Sequence, residues 1–258
     1  MSNGNVRLSI NNGIASILID RPEARNAMTW SMYDALAAAC DALLEDPSVR
    51  VATLRGAGGQ AFVAGTDIEQ FREFEGEDDG VRYEHAVESY VAKLEALPFP
   101  TIAIIDGYAI GGGLALAAAC DFRIATPDAR FGAPIARTLG NCLSTANVAR
   151  ILAGFGADRV ARMLMLAENI TADEAKACGF VYEIVAADQL DARAGELCEK
   201  LAAHAPLTMK AAKETIRRII AEAPPSNEDL IRECYGSRDF RIGMEAFLDK
   251  KKPVWTGT

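Results

Sequence analysis

Short apolar and alternating runs near the N-terminus predict a hairpin followed by a long helix. Val6 to Ile10 and Ile14 to Ile19 are β-rich, and Asn11-Asn12-Gly13 between them supplies residues that tolerate positive φ. From Thr29 to Glu45 the apolar residues recur at helical spacing, with Thr29 as the predicted N-cap and Pro47 beyond the end. The first part of the chain is therefore predicted to combine paired strands with a packed helix.

Strands and helices alternate through the middle of the chain. Strands are predicted at residues 49–55, 101–106 and 122–125, and helices at residues 81–97 and 113–119. Residues 101–106 form a nearly continuous apolar run, which is typical of a strand buried on both faces. Residues 127–144 are predicted to be mostly loop. This alternation favours an α/β core.

The last part of the chain is predicted to be mostly helical. The pattern predicts helices over residues 145–152 and 157–166, a short helix opened by the capping box Thr171-Ala-Asp-Glu174, and a strand over residues 180–185. From Gln189 onward the pattern is helical, with interruptions at Pro206 and at Pro224-Pro225. A helical segment is therefore predicted to follow the α/β core.

Composition and charge exclude several classes of function. The chain has 258 residues, 50% of them hydrophobic, and its 27 Lys and Arg against 36 Asp and Glu give a net charge of −9. Nucleic-acid binding needs concentrated positive charge, so an acidic chain without a long basic run is a poor candidate for it. With only two histidines, a three-histidine metal site is excluded. No apolar run approaches the roughly 20 residues of a membrane helix and no secretory signal is recognisable, so a cytoplasmic protein without a membrane partner is expected.

The first glycine-rich stretch, Gly56-Ala57-Gly58-Gly59-Gln60-Ala61, directly follows a predicted strand. It fits GxGxxA, a variant of the dinucleotide-binding fingerprint, and acidic residues lie about twenty positions further on. That fingerprint must open a helix, whereas the residues that follow, Phe62 to Thr66, have poor helix propensity and include another glycine. A dinucleotide-dependent oxidoreductase therefore remains an alternative that this stretch does not favour.

The second glycine cluster, Gly111-Gly112-Gly113, follows a buried strand and opens a helix. Glycines at a helix N-terminus expose N–H groups where the helix dipole favours negative charge. Because no Lys-Ser pair follows, a developing oxyanion suits this loop better than a triphosphate does. The loop Ala64-Gly65-Thr66-Asp67-Ile68 places another glycine before an apparent helix start, so the two loops together could form an oxyanion hole. Close packing of a helix on a strand is the alternative reason for the glycines.

Several longer stretches, taken in order, make the chain similar to a known superfamily. They are RPEARNAM at residues 21–28, AFVAGTDI at 61–68, PTIAIIDGYAIGGGLALAAACDFRIA at 100–125, ARFGAP at 129–134, ITADEAKACGFVYEIV at 170–185 and GMEAFLDKKKP at 243–253. With these motifs the chain resembles the enoyl-CoA hydratase/isomerase (crotonase) superfamily over nearly its whole length.

The resemblance implies a fold as well as a ligand. Residues 1–188 would form an α/β core, a crotonase-type spiral of repeated ββα units. Residues 189–258 would form a C-terminal helical segment that assembles homotrimers, often paired into homohexamers, and that completes part of the CoA site. The implied substrate is an acyl-CoA thioester, with coenzyme A as part of the substrate and no further cofactor.

The resemblance also implies roles for individual residues. In the superfamily two backbone N–H groups hold the thioester carbonyl, and here these would belong to Thr66 and Gly112. Because the donors are backbone groups, the side chain of Thr66 is expected to be free to vary, whereas Gly112 is not. The implied substrate-binding residues are Ala24, Arg25, Ala64, Gly65, Asp67, Ile68, Gly111, Gly113, Phe247 and Lys250.

Two of these residues have an alternative explanation. Asp67 is predicted to cap the helix that follows it. Lys250 begins a run of three lysines near the end of a predicted helix, where positive charge matches the helix dipole without any ligand. For both residues the structural role and the binding role remain open from the sequence.

The chain departs from the hydratase pattern at both positions where a catalytic glutamate is expected. Ala115 stands where the superfamily has a glutamate after the three glycines, and Ile135 stands where a second one follows the FGxP motif. A hydratase needs two such groups, one to activate water and one to protonate the α-carbon. Cys142 occupies a position where some members carry a catalytic aspartate, so a nucleophilic thiolate is one alternative and a buried inert thiol is the other.

Three functions thus remain open. The first is an acyl-CoA enzyme of the hydratase/isomerase type, a lyase or isomerase that stabilises a thioester enolate in a backbone oxyanion hole and whose exact reaction is open. A variant of it is a different crotonase-type reaction that uses Cys142 or another polar residue. The second is a non-catalytic acyl-CoA-binding protein that keeps the two loops. The third is the dinucleotide-dependent oxidoreductase.

Overall fold

The chain folds into two β-sheets whose strands are joined by helices. The computed structural model describes residues 4–220 and 226–258. The strands are β1 (Asn5–Asn11), β2 (Ile14–Asp20), β3 (Val51–Gly56), β4 (Ala61–Val63), β5 (Thr101–Ile105), β6 (Tyr108–Ile110), β7 (Phe122–Ala125), β8 (Arg130–Gly132), β9 (Ile170–Thr171) and β10 (Glu183–Ile184). The α-helices are α1 (Trp30–Glu45), α2 (Glu77–Glu95), α3 (Gly112–Ala119), α4 (Ile135–Thr138), α5 (Thr145–Phe155), α6 (Ala157–Leu164), α7 (Ala172–Ala177), α8 (Leu190–Ala202), α9 (Pro206–Ile220), α10 (Glu228–Gly236) and α11 (Arg238–Leu248), and short 3-10 helices cover Pro22–Ala24, Ile68–Glu73 and Ala187–Gln189. None of the described helices is long and apolar enough to cross a bilayer.

From β3 to β8, consecutive strands alternate between the two sheets. The larger sheet has the order β1-β2-β3-β5-β7-β10, and the smaller sheet has the order β4-β6-β8-β9. β1 and β2 form the antiparallel hairpin that the sequence predicted, and β2, β3, β5, β7 and β10 run parallel. The pairs β3–β4, β5–β6 and β7–β8 each give one strand to each sheet before the chain enters a helix. This repeat is the predicted spiral of ββα units, and the α/β fold class is confirmed.

β5 is buried on both faces, as its apolar run predicts. Ala103 and Ile105 face the main core, whereas Ile102 and Ile104 face a second apolar cluster. α8 closes that second cluster with the side chains of Leu190, Ala194, Leu197, Cys198 and Leu201. The first helix after residue 189 therefore covers the outer face of the larger sheet, while the division of the chain into residues 1–188 and 189–258 remains a prediction.

Some predicted boundaries differ from the structure for local reasons. α2 begins at Glu77, earlier than predicted, because the Asp79 carboxylate accepts from the Gly76 N–H at 3.1 Å and caps the first turn. The predicted loop at residues 127–144 contains β8 and α4, which are too short to give a periodic pattern. β8 forms because it pairs with β6. The interruption predicted at Pro224-Pro225 lies outside the described residues.

The first glycine-rich stretch does not open a helix. Gly56 ends β3, and the chain turns at Gly58 and Gly59, which both have positive φ, into the short strand β4. The dinucleotide-binding fingerprint requires a helix at this point. The oxidoreductase alternative is therefore wrong for this fold.

Candidate functional site

The loop at residues 64–68, called the first glycine loop from here on, lies beside the RPEARNAM segment at residues 21–28. The Ala64 N–H donates to the Arg25 carbonyl at 3.1 Å, and the Met28 N–H donates to the Gly65 carbonyl at 2.8 Å. The Asp67 N–H in turn donates to the Met28 carbonyl at 2.8 Å, so the two segments run parallel. The structure thus brings together the backbone around Ala24 and Arg25 with the loop from Ala64 to Ile68.

The second glycine loop, at residues 111–113, lies close to the first. Gly111 has φ 54° and ψ −117°, a conformation that favours glycine, and its N–H donates to the Gly132 carbonyl at 2.9 Å. A Cβ added to Gly65 would lie 3.4 Å from the Ile110 carbonyl oxygen, and one added to Gly111 would lie 3.9 Å from the Gly65 Cα. The two loops therefore lie close enough for a single added methyl group on either glycine to bridge them.

The backbone bonds around these loops leave two N–H groups directed at the place where the loops meet. The Gly65 carbonyl and the Asp67 N–H both face Met28, so the Thr66 N–H points to the opposite side of its segment. On that side β4 pairs with β6, which leads into the second loop. Gly112 is the first residue of α3, where an N–H has no partner within the helix. The Thr66 and Gly112 N–H groups are thus the candidate donors to an anionic oxygen.

The three glycines of the second loop have different structural roles. Gly111 makes the turn, and Gly112 opens α3 beside the first loop. Gly113 is buried, and a Cβ on it would overlap the Val63 carbonyl oxygen of β4. Gly113 thus permits the close approach of α3 to β4, which was the alternative reason for the cluster, and its substrate-binding role stays a prediction.

Asp67 has a structural role in the first loop. Its Oδ1 accepts from the Glu69 N–H at 3.1 Å, which confirms the predicted cap. Its Oδ2 accepts from the Arg21 guanidinium at 2.7 Å, and Arg21 is only 4% exposed. Both carboxylate oxygens are thus engaged within the protein, so the geometry favours the capping role over ligand binding.

Asn26 holds the RPEARNAM segment in place, a role that the sequence analysis missed. It is fully buried with φ 58°, a conformation that asparagine tolerates better than most residues. Its side-chain amide donates to the carbonyls of Ala57 at 2.9 Å and Ala61 at 2.7 Å, and it accepts from the Arg21 N–H at 2.9 Å. These bonds fix the backbone of Arg25, whose side chain is exposed.

The Thr66 side chain contacts two tyrosines that the sequence did not predict. Its Oγ1 lies 2.9 Å from Tyr33 Oη and accepts from Tyr83 Oη at 2.8 Å. Both tyrosines are buried, Tyr33 in α1 and Tyr83 in α2. Burial raises the pKa of Tyr33 to about 12, and it raises the pKa of Tyr83 well above its usual 10. The expectation that the Thr66 side chain is free to vary is therefore wrong.

Glu84 is the one buried acidic residue among those that the structure describes, and it too was missed. Its two oxygens accept from Tyr235 Oη at 2.8 Å and from the Ser144 N–H at 2.9 Å. Asn141 donates to Tyr235 Oη at 3.1 Å, which extends the network. A Cβ on Gly80 would overlap the Tyr235 ring, so this glycine in α2 allows Tyr235 to reach Glu84 one turn further on.

Stability should depend on pH through Glu84. Burial raises the pKa of Glu84 to about 7 from 4.5, so the folded protein keeps this proton after the unfolded chain has lost it. The contribution of Glu84 to the free energy of unfolding therefore falls as pH rises from about 4.5 to about 7. A glutamine does not titrate, so the stability of Glu84→Gln relative to wild type should improve between pH 5 and pH 8 by on the order of 2 kcal/mol.

Urea unfolding of both proteins at the two pH values would measure this change. Glu73→Gln is the matched control, because Glu73 is exposed and its replacement should give the same difference from wild type at pH 5 and pH 8. If Glu84→Gln behaved like the control, the carboxyl of Glu84 would not be held in its neutral form by burial.

Cys142 does not have the surroundings of a nucleophile. It is partly exposed and precedes α5, whose N-cap is Ser144. Hydrogen bonding with Cys234 and burial raise the pKa of the Cys142 thiol, which disfavours its thiolate. Hydrogen bonding with Cys142 lowers the pKa of the Cys234 thiol, which is the more acidic of the two, and the Cys142 Sγ lies 3.9 Å from the Leu230 carbonyl oxygen, its hydrogen-bond acceptor. The geometry favours the inert interpretation of Cys142.

Aromatic rings hold the C-terminal helices against the first loop. Phe71, in the 3-10 helix after Asp67, packs edge-on against Tyr83 at 4.8 Å and lies 6.0 Å from Phe240 of α11. Phe247 and Lys250 lie exposed near the end of α11, and their contact with a ligand stays a prediction. A separate cavity of about 220 Å³ has apolar walls formed by the side chains of Phe71, Phe74, Tyr235, Phe240 and Met244.

Comparisons with known proteins agree with this geometry. The family described as enoyl-CoA hydratase/isomerase matches residues 9–258. The chain is 32% identical over 256 residues to a short-chain-enoyl-CoA hydratase of Clostridium acetobutylicum, covering 98% of this chain and 97% of that protein. A solved enoyl-CoA hydratase/carnithine racemase from Magnetospirillum magneticum has a TM-score of 0.80 at 32% identity and covers 100% of this chain and 97% of its own. A methylmalonyl-CoA decarboxylase complexed with 2S-carboxypropyl-CoA has a TM-score of 0.89 at 26% identity and covers 100% of both chains.

Proposed function

The chain belongs to the enoyl-CoA hydratase/isomerase family, and from that premise we propose that it acts on an acyl-CoA thioester where its two glycine loops meet. The Thr66 and Gly112 N–H groups would hold the thioester carbonyl oxygen. The observation that carries this proposal is the close approach of the two loops, with both N–H groups unused by the backbone bonds around them. The backbone of Ala24 and Arg25, beside the first loop, would hold the CoA part.

Such a site lowers the energy of an enolate. When a bond at the α-carbon breaks, negative charge moves onto the thioester oxygen, which two fixed N–H dipoles can stabilise without reorganising. One such donor typically contributes about 3 kcal/mol to the transition state. The N-terminus of α3 adds its dipole in the same sense. This contribution is the same whichever group leaves the α-carbon.

Decarboxylation of a 2-carboxyacyl-CoA is the specific reaction that we consider first. The electrons of the bond between the α-carbon and the carboxylate move into the enolate, CO2 leaves, and the α-carbon then takes one proton. No side chain has to remove a proton, which suits a chain with Ala115 and Ile135 where a hydratase needs two carboxylates. The structural likeness to a methylmalonyl-CoA decarboxylase supports this candidate.

Proton exchange at the α-carbon tests the proposal without assuming a leaving group. The full chain would be incubated with propionyl-CoA in D2O, and deuterium at C2 would be followed by NMR. Solvent water would remove the α-proton and D2O would return a deuteron, and because the two N–H groups would stabilise the enolate formed between these steps, we expect incorporation well above the rate without protein. Calorimetric titration with the same thioester would accompany it: absence of both binding and exchange would contradict an acyl-CoA function, and binding with neither exchange nor CO2 release from methylmalonyl-CoA would support the non-catalytic alternative.

Two further substrates distinguish decarboxylation from hydration. We expect CO2 release from methylmalonyl-CoA, and we expect crotonyl-CoA to be hydrated at least about a hundredfold more slowly than by an ordinary hydratase, since general acid-base groups each typically contribute at least that much. Hydration is followed by loss of the conjugated thioester absorbance. Hydration at an ordinary rate would show that Ala115 and Ile135 are not decisive.

The proposed assembly is a homotrimer or homohexamer formed through the C-terminal helices. α9 presents large apolar side chains to solvent in the single chain, and no side chain of α9 is buried. Leu207 is 79% exposed, Ile216 is 59% exposed and Ile219 is 68% exposed. A second copy of the chain would remove such a surface from water, which supports the assembly that the family suggests.

A further inference from the structure

The side chain of Thr66 stands beside both candidate oxyanion donors. Its Oγ1 lies 3.6 Å from the position that a Cβ on Gly112 would occupy, and the Thr66 N–H is the other donor. We propose that the Thr66 hydroxyl is a third hydrogen-bond donor of this site, aimed by Tyr33 and Tyr83, which both donate to its oxygen. The inference rests on the proposed function, because it needs a thioester oxygen between the two loops.

The three hydroxyl groups of Thr66, Tyr33 and Tyr83 have one hydrogen more than the contacts among them use, and this hydrogen is available to a ligand. Thr66, Tyr33 and Tyr83 carry one hydroxyl hydrogen each, and the two short contacts among them use two of the three. Tyr83 donates to Thr66, so the remaining choice is whether Tyr33 donates to Thr66 or accepts from it. The third hydrogen belongs to Thr66 in the first case and to Tyr33 in the second.

Burial decides between these two arrangements. Tyr33 is 0% exposed, and within the described residues its hydroxyl has no hydrogen-bond partner other than Thr66. If Tyr33 accepted from Thr66, its own hydrogen would be buried without an acceptor, which is costly. Thr66 is partly exposed at the meeting point of the loops, where its hydrogen can reach water or a ligand. Tyr33 therefore donates, and the hydrogen that remains is that of Thr66.

The two tyrosines also make Thr66 a better donor. Burial raises the pKa of Tyr33 to about 12 and raises the pKa of Tyr83 well above its usual 10, so both keep their protons at neutral pH and stay donors. A hydroxyl oxygen that accepts two hydrogen bonds is polarised, and its own bond to an acceptor is strengthened. A bond to an anionic oxygen is charge-assisted and gains more in the enolate than in the ground-state thioester.

Variants at Thr66 test this role directly. Thr66→Val keeps the shape and both backbone groups but removes the hydroxyl, and Thr66→Ser keeps the hydroxyl. For Thr66→Val we expect deuterium exchange into propionyl-CoA to fall about 10- to 100-fold, somewhat less than the loss typical of a full oxyanion-hole donor. Thr66→Ser should stay within about fivefold of wild type, and the Kd for the thioester should change little in either variant because the third bond forms mainly in the enolate.

Because Thr66→Val leaves two buried tyrosine hydroxyls without an acceptor, a variant that removes the whole cluster keeps the test independent of folding. The triple variant Thr66→Val, Tyr33→Phe and Tyr83→Phe replaces all three polar partners by apolar groups of similar shape, which is often nearly neutral for stability. We expect its exchange rate to match that of Thr66→Val. The double variant Tyr33→Phe and Tyr83→Phe keeps the Thr66 hydroxyl and should fall between the triple variant and wild type.

A spectroscopic readout separates hydrogen bonding from a merely structural effect. Infrared spectra of bound propionyl-CoA labelled with ¹³C at the thioester carbonyl should show a lower C=O stretching frequency than the free thioester. We expect a smaller lowering in the triple variant and the full lowering in Thr66→Ser. An unchanged frequency and exchange rate in the triple variant would overturn the third donor, whereas a wild-type protein that neither binds nor polarises the thioester would overturn the proposed function itself.

Discussion

Gly113→Ala is expected to unfold the protein at a much lower denaturant concentration than wild type. The new Cβ would overlap the Val63 carbonyl oxygen and would lie 2.8 Å from the Val63 Cβ. β4 is held in place, because it pairs with β6 and because the Ala64 N–H, just beyond its end, donates to the Arg25 carbonyl. Overpacking of a core typically costs 1–3 kcal/mol, and a clash with backbone should reach about 3 kcal/mol or more. Thermal unfolding should then shift down by roughly 10 °C in a chain of this size.

The chain offers a matched control in a second helical glycine. A Cβ on Gly195, in α8, meets nothing within 4 Å. Gly195→Ala should therefore stabilise the protein by roughly 0.5–1 kcal/mol, since alanine is the better helix former. If both variants melted at or above the wild-type temperature, the packing of α3 on β4 would have room that the structure does not show. Acyl-CoA activity should be lost only in Gly113→Ala, because α3 positions the Gly112 N–H.

The sequence predicted those parts of the fold whose patterns are local. The apolar run of β5 and the cap at Thr29 each depend on neighbours in the chain, and both elements form as expected. β8 was missed because three residues carry no periodicity and the strand depends on its pairing with β6. The packing of α8 on the larger sheet could not be predicted either, because it depends on contacts with strands that are distant in the sequence.

The backbone of the site was more predictable than its side chains. Glycine at Gly65 and Gly111 indicates a special backbone conformation, and both residues have the positive φ that favours glycine. The contacts of Thr66 with Tyr33 and Tyr83 join residues on different elements, so no spacing in the sequence predicts them.

Glu84 was missed for a different reason. It lies on an amphipathic helix, where a charged residue is normally expected to face solvent. One local feature could have indicated its burial. Gly80 stands one turn before it in the helix interior, where glycine is unfavourable unless another element must approach closely.

Gly112→Ala should reduce activity while leaving the fold intact. Alanine fits the helical backbone at this position, but its Cβ would lie 2.8 Å from Tyr33 Oη. The Tyr33 ring is fully buried and stacks on Tyr90 at 5.2 Å, so the start of α3 has to move instead. That movement displaces the Gly112 N–H relative to the Thr66 N–H. We expect exchange at the α-carbon of propionyl-CoA to fall about 100-fold, as when one oxyanion donor is lost, with little change in thermal unfolding.

A second variant shows whether the tyrosine hydroxyl causes this loss. Tyr33→Phe removes the oxygen that the new Cβ would meet, and the nearest remaining atom is Thr66 Oγ1 at 3.6 Å, an ordinary van der Waals distance. Gly112→Ala should therefore cost at least about tenfold less activity in the Tyr33→Phe background than in wild type, a non-additivity expected of residues in contact. Strictly additive losses would mean that Gly112 is required for a reason other than the space beside Tyr33. Tyr33 also aims the Thr66 hydroxyl in our proposal, so Tyr33→Phe alone should lower the rate. The rate of the Gly112→Ala and Tyr33→Phe double variant is therefore compared with that of Tyr33→Phe.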